Sequence, residues 1–198
     1  METINYTKVN INIPESLDDL TLKQYLDYSN ISKDIKGDDE SIENILRTYK
    51  VIEILTGSTE EEIDELLIDE VRDLSSKIGD SLKSFNFQSP PSKSFTIDGV
   101  DYVAKDTAAI DNGEYISMNI LREQYKNDLE LLPKLLAILI RPGKKEYDFE
   151  KKKEIWIVDK FNRRDIENLH LRADIFLNKA KAKDVIPVIS FFLNGMQK

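Results

Sequence analysis

The chain has 198 residues, 40% hydrophobic and 33% charged, a balance that belongs to a globular protein long enough to bury a real core. With no cysteine and one histidine, His170, it has no means of forming disulfides or thiolates and no basis for a histidine-rich metal centre. The net charge of −9 argues against wrapping nucleic acid with the whole surface, and it is uneven: residues 1–90 carry 20 acidic and 9 basic side chains, residues 91–198 carry 17 and 19.

An acidic front half and a nearly neutral back half fit either head-to-tail association or plain solvation. The first residues, Met1 to Tyr6, have neither the basic nor the apolar region of a secretory leader, so the protein is expected to stay in the compartment where it is made. An acidic helical region over 1–88 and a hairpin-plus-helices region over 93–198, packed together as one domain, is the expected organisation.

In chain order, Val9, Ile11 and Ile13 alternate with Lys8, Asn10 and Asn12, which predicts a short half-buried strand closed by Pro14. Thr21 offers a cap for a helix with Leu22, Tyr25, Leu26 and Ile31 on one face. Residues 32–40, with Gly37, read as an exposed loop. Ser41 is positioned to cap an amphipathic helix whose apolar positions are Ile42, Ile45, Leu46, Tyr49, Ile52 and Leu55, ended by Gly57. Thr59 with Glu62 makes a capping-box pattern, and Glu60, Glu61 and Glu62 suit the positive end of the next helix. Ile63, Leu66, Leu67, Val71, Leu74 and Ile78 carry that periodicity to Gly79, either as one helix or as two with a break near Asp69.

Ser89-Pro90-Pro91-Ser92 is the best internal boundary. Phe95 to Val103 around Asp98-Gly99 predicts a β-hairpin with a type I′ turn, and because an isolated hairpin is marginal in water, residues 8–13 are its expected third strand. Asp111-Asn112-Gly113 is a turn from which Glu114 starts a helix carrying Tyr115, Met118, Ile120 or Leu121, and Tyr125. The most apolar stretch, Leu131 to Ile140, is too short to cross a bilayer and predicts a helix buried on most sides, starting afresh or kinking at Pro133 and stopped by Arg141-Pro142-Gly143. Ile155-Trp156-Ile157-Val158 fits strand or helix. Ile166, Leu169, Ala173, Phe176 and Leu177 predict a helix, and Asp184 a cap for a last one with Pro187 in its first turn and Val188, Ile189, Phe191, Phe192 and Leu193 on a wide apolar face. The fold class is therefore α+β, mainly α, with a small antiparallel β element.

Little in the chain points to chemistry. Asp38-Asp39-Glu40 lacks the glycine and the later glutamate of a calcium loop and reads as a solvated run. His170 has Asp174 at the i+4 position, but no serine or cysteine arrangement supplies a nucleophile, so a structural histidine is preferred over a hydrolase. Neither Gly113 nor Gly143 lies in a phosphate-cradling pattern. One cluster suits a partner or an anion: Lys151, Lys152, Lys153, Trp156, Arg163 and Arg164, with an aromatic that can stack. Interleaved Glu150, Glu154 and Asp159 weaken its potential, so a solvated face is the plainer reading and a nucleic-acid-associated regulator the alternative function. The two most apolar helices, ending at Ile140 and at Leu193, form either core or a groove for a partner helix, with core the default.

Several segments taken together, Ile13-Pro14-Glu15-Ser16-Leu17 with Leu20 to Tyr25, Phe95 to Tyr102, Asn112 to Ile116, Ala137 to Pro142 and Pro187 to Phe192, carry a resemblance. The pattern resembles small proteins of the virion and tail gene clusters of tailed bacteriophages, including crAss-like phages, a group that contains tail assembly chaperones and structural proteins. The resemblance implies a non-enzymatic role, no cofactor and no small-molecule substrate. It also implies other phage structural proteins as partners, an oligomer among the possible states, and a location in the virion or in the bacterial host cytoplasm during assembly, while the net charge and the short apolar runs are what leave nucleic acid and membrane unfavoured.

Overall fold

The computed structural model describes residues 1–6, 8–15, 19–32, 42–83, 93–106 and 109–195, the side chains at 2, 82–83 and 191–195 excepted. Of the loop expected over 32–40, Ser32 is the last residue of a helix and the rest lies outside the described residues, as do the Ser41 cap, the Ser89–Ser92 boundary and the apolar side chains of Phe191, Phe192 and Leu193. The chain divides into two units, one of Met1–Phe87 with Lys181–Lys183 and one of Gln88–Ala180 with Asp184–Lys198. The fold class is α+β, mainly α, with eight helices and six strands among the described residues.

In the first unit, β1 (Glu2–Asn5) and β2 (Asn10–Ile13) form a two-stranded antiparallel hairpin. The period-2 reading of residues 8–13 holds, with Ile11 and Ile13 buried, but their expected place beside the 95–103 hairpin does not. The strand finds its partner in the chain just before it, the local pairing with the smaller loop-closure cost. Helix α1 (Leu22–Ser32) starts where Thr21 Oγ1 accepts the Gln24 N–H and Gln24 Oε1 accepts the Thr21 N–H. Helix α2 (Ile42–Thr56) buries Val51, Ile52 and Leu55 and is stopped at Gly57, whose φ of 73° is the left-handed geometry that a helix end favours.

The acidic stretch then forms α3 (Glu60–Asp64) with a complete capping box: Thr59 accepts the Glu62 N–H at 3.2 Å and Glu62 accepts the Thr59 N–H at 2.9 Å. The two-helix alternative is the one adopted, since α4 (Ile68–Lys83) restarts after a break at Glu65–Leu67 and runs past Gly79. Ile11, Ile13, Leu20, Ile52, Leu55, Ile63 and Leu74 are shared by strands and helices in one core. Each such side chain contributes about 2 kcal/mol.

The second unit is built on a four-stranded antiparallel sheet in the order β3 (Ser94–Ile97), β4 (Val100–Ala104), β5 (Ile140–Asp148), β6 (Lys153–Val158). Asp98 and Gly99 have φ of 50° and 78°, as a type I′ turn requires, and Lys179 Nζ lies 2.5 Å from Asp98 Oδ2. Helix α5 (Asn112–Gln124) starts from an Asp111 cap and α6 (Asp128–Leu139) from an Asn127 cap. Pro133 lies inside α6 and does not begin it, because the Asn127 cap nucleates the helix a turn earlier and Leu135, Leu136, Ala137 and Ile138 are fully buried. Arg141-Pro142-Gly143 does follow a helix end, but the chain passes straight from Leu139 into β5. Helix α7 (Ile166–Lys179) is capped by Asp165 and brings Phe176 to Phe95 and Tyr102, with ring centroids 5.1–6.2 Å apart. Helix α8 (Ala182–Gly195) begins two residues before Asp184, so that residue sits in its first turn and is not its cap, and Pro187 lies inside it.

Candidate interaction surface

β5 has nine residues, but only Ile140, Arg141 and Pro142 pair with β4. From Gly143 to Asp148 the strand pairs with β6 alone, so the distal part of the β5–β6 hairpin is an arm. Its residues Lys144, Lys145, Glu146 and Tyr147 are all exposed, as are Lys153, Glu154 and Ile157 across from them. Where β4 parts from β5 there is an open notch of about 390 Å³ lined by Asp101, Gly143, Lys145 and Asp159. Gly143 is required at the point of departure: a Cβ there would stand 2.8 Å from Val103 Cγ2 and 3.2 Å from the Ile157 carbonyl oxygen.

The arm's turn is set by Asp148, whose Oδ1 accepts the N–H groups of Glu150 and Lys151, both at 3.0 Å. These donors, the Lys151 N–H foremost, hold the Asp148 carboxyl below its usual range. Lys152 completes the turn with φ of 52°, a conformation a non-glycine residue adopts at a cost of roughly 1 kcal/mol. Phe149 stands at the tip with 83% of its surface exposed, edge-on to Tyr147 at 5.1 Å. A phenyl ring buries on the order of 150 Å² when covered, worth about 3–4 kcal/mol, so an uncovered one at a hairpin tip, between Asp148 and Glu150, is the most costly exposed group of the arm.

The arm's root is held by buried charge. Glu114, at the third position of α5 and 1% exposed, accepts the Asp111 N–H at 2.9 Å and Lys105 Nζ at 2.5 Å through Oε2. Arg141 Nη2, on β5 and 4% exposed, lies 2.8 Å from Glu114 Oε1. The approach is electrostatic and poorly directed, since among the described residues Oε1 and Arg141 Nε each lack a hydrogen-bond partner. The Asp111 carboxylate accepts the Glu114 N–H, which with the Lys105 charge keeps it below its usual range. On α7, Arg172 Nε donates to the Ala137 carbonyl at 3.2 Å; burial first, then the Arg141 charge, pull its guanidinium below its usual value.

The six residues singled out from the sequence do not form one patch. Lys151 and Lys152 lie in the arm's turn and Lys153 opens β6, while Trp156 is half-buried mid-strand, paired with Lys145, whose Nζ lies 5.3 Å from the ring centroid. Arg163 and Arg164 follow the other end of β6, where the Asp159 N–H donates to the Pro142 carbonyl at the root. The length of β6, Lys153–Val158, roughly 17 Å, separates the turn lysines from the two arginines. Acidic neighbours temper the lysines: Lys151 is 3.2 Å from Asp148 and Lys145 is 3.9 Å from Glu154. Arg163 instead lines a cleft of about 260 Å³ with Tyr125, Phe161, Ile166 and His170. His170 and Asp174 both face solvent, and no hydrogen bond joins them among the described residues.

Among the described residues no cluster of three His, Asp or Glu side chains is arranged to hold a metal ion, and no helix is long and apolar enough to cross a membrane. Sequence reasoning missed Lys105 and Arg141 as partners of Glu114, because their convergence depends on β4 and β5 being neighbours. Asp111 followed three residues later by Glu114 is the capping-box spacing that signals half of that cluster. The chain matches no family model, no curated protein and no solved structure.

Proposed function

We propose that this chain is a non-enzymatic contact protein that binds other proteins through the β5–β6 arm. The observation that carries the reading is the tip itself: Phe149 and Tyr147 are held in water on a turn ordered by Asp148, at the end of an arm rooted in buried charge. A ring kept exposed on an ordered scaffold is what a docking anchor requires. The arm's own strands carry exposed Lys144, Lys145 and Lys153, which oppose strand-to-strand addition, so the contact is assigned to the tip and not to the edge.

Within that class, the resemblance to virion and tail gene-cluster proteins supports a bacteriophage structural or assembly protein, acting in the tail or neck or as a tail assembly chaperone. Its partners are other phage structural proteins, and the role requires no cofactor. The test is co-purification of the tagged chain from phage-infected cells. A stable complex with another phage protein, weakened by Phe149→Asp, is the expected result. Absence of any such complex overturns the proposal.

A further inference from the structure

At the far end of the arm from its tip, the second unit holds a receptacle the size of one side chain. The cleft between α5 and α7 has a volume of about 260 Å³ and apolar walls of Ile120, Leu121, Phe161, Ile166 and Leu169. Sites for drug-sized ligands run from about 300 to 1,000 Å³, so this one suits a single ring and not a cofactor. Ile120 and Ile166 are 46% and 59% exposed, so the apolar lining stands open to water. The one carboxylate of the lining, Asp165, is engaged at the start of α7 by the Asn168 backbone N–H and side-chain amide, at 3.2 and 2.7 Å. Arg163, exposed on the same lining, has no ion pair among the described residues.

The tip offers what that lining lacks. Over residues 148–154 three carboxylates and three lysines cancel, and Lys151 is tied to Asp148 at 3.2 Å, so net charge directs the tip nowhere. What remains free is local: the Phe149 ring, 83% exposed, and beside it the Glu150 carboxylate, exposed and without an ion pair among the described residues. The tip cannot fill its own cleft. Strand β6 runs between the two, roughly 17 Å long, and all six of its residues are paired with β5, which keeps it from folding back.

We infer that the cleft of one copy receives the arm tip of a second copy, with Phe149 entering between Ile120 and Ile166 and Glu150 meeting Arg163. This rests on the tip being a contact element, and it names a receptacle for it. Tip and cleft stand at opposite ends of one strand and belong to the same unit, so two arms laid antiparallel bring each tip to the other's cleft. The exchange closes as a two-fold dimer. Two rings and the walls they cover bury on the order of 600 Å², below the roughly 1,200 Å² of a stable interface, so the dimer is weak and reversible. The second junction forms at the raised effective concentration set by the first.

Sedimentation equilibrium of the purified full chain, from micromolar to millimolar concentration, tests the inference. The wild type is expected to form dimers in the upper part of that range and to stop there. Phe149→Asp and Ile166→Asp, both at exposed positions, are each expected to weaken the dimer at least about tenfold with unchanged circular dichroism. Reversing one member of the charge pair, in Glu150→Arg or in Arg163→Glu, sets like charges together and is expected to weaken it about two- to fivefold. The two reversals in one chain restore opposite charges at both junctions, and association returns to the wild-type value. A wild type that stays monomeric up to roughly millimolar concentration overturns the inference. So does growth past dimer, an unchanged dimer in Ile166→Asp, or a doubly reversed chain as weak as its single changes combined. A monomeric wild type that captures another phage protein, and loses it in Phe149→Asp, removes the exchange and leaves the contact role standing.

Discussion

Removing the carboxylate of Glu114 should be among the most damaging single changes in the second unit. In Glu114→Leu, the Arg141 guanidinium, 4% exposed, loses the carboxylate that stands 2.8 Å from it, the only one within ion-pair distance among the described residues, and the Asp111 N–H loses its acceptor. Lys105 fares better, because its side chain retains 19% exposure and Asp111 stands 3.6 Å away. Breaking a buried pair from one side costs about 3–5 kcal/mol, and the lost cap bond adds to the upper part of that range. Replacing both charges by apolar groups of similar volume is far cheaper, so Glu114→Leu with Arg141→Met should cost much less than the sum of the single changes. The coupling energy from the double-mutant cycle should be at least about 2 kcal/mol. Urea unfolding followed by the fluorescence of Trp156, the one tryptophan and a residue of β6, reports on the relevant unit. A loss below about 1 kcal/mol for Glu114→Leu, or simple additivity in the cycle, would refute the idea that this cluster holds the root of the arm.

Three further outcomes follow from the geometry. Gly143→Ala forces a Cβ against Val103 and the Ile157 carbonyl, so calorimetry should show a loss of about 1–3 kcal/mol, and an unchanged melting temperature would mean the strands are not that close. Thr59→Ala removes one half of the α3 capping box and should cost about 1 kcal/mol in the first unit, measured by chemical denaturation; a neutral result would show the box to be incidental. Acid should destabilise the fold. Asp111, Asp148 and Asp165 have carboxyls held below their usual range by the Glu114 N–H, the Lys151 N–H and the Asn168 side-chain amide respectively, and Asp73 by Lys77. The unfolded chain then binds more protons as pH falls, so this contribution is complete above the ordinary carboxylate value of about 4 and is lost as pH drops through the lower folded values. The melting temperature should be flat between about pH 5 and 7 and fall below 4, and a rise on acidification through that lower range would contradict the assignment.

What the sequence discloses here is local. The Thr59–Glu62 box, the Gly57 stop, the Asp98-Gly99 turn and the buried Leu135–Ile138 run are each written in a few adjacent residues, and each is found where those residues place it. What escapes is set by partners distant in sequence. Residues 8–13 read correctly as a strand, but which strand lies beside them depends on a competition that the alternation does not encode. Pro133 marks a local disfavour for helix that burial and the Asn127 cap outweigh. Ile155–Val158 is ambiguous until β5 lies beside it. For the surface, Lys151, Lys152, Lys153 and Trp156 are visible as a cluster, yet grouping them with Arg163 and Arg164 ignores the length of the intervening strand, and the exposed Tyr147 and Phe149 beside them carry no signal of their own. The buried Glu114–Arg141 pair was legible only on the Glu114 side.

The central claim is that the chain acts by contact through the tip of the arm. Its most direct test is a photo-crosslinking amino acid at position 149, introduced into the full chain during infection and followed by mass spectrometry of the adducts. The expected result is adducts to phage-encoded proteins, another copy of this chain included. Adducts to nucleic acid alone, or none when a crosslinker at the buried position 176 serves as the background control, would contradict it.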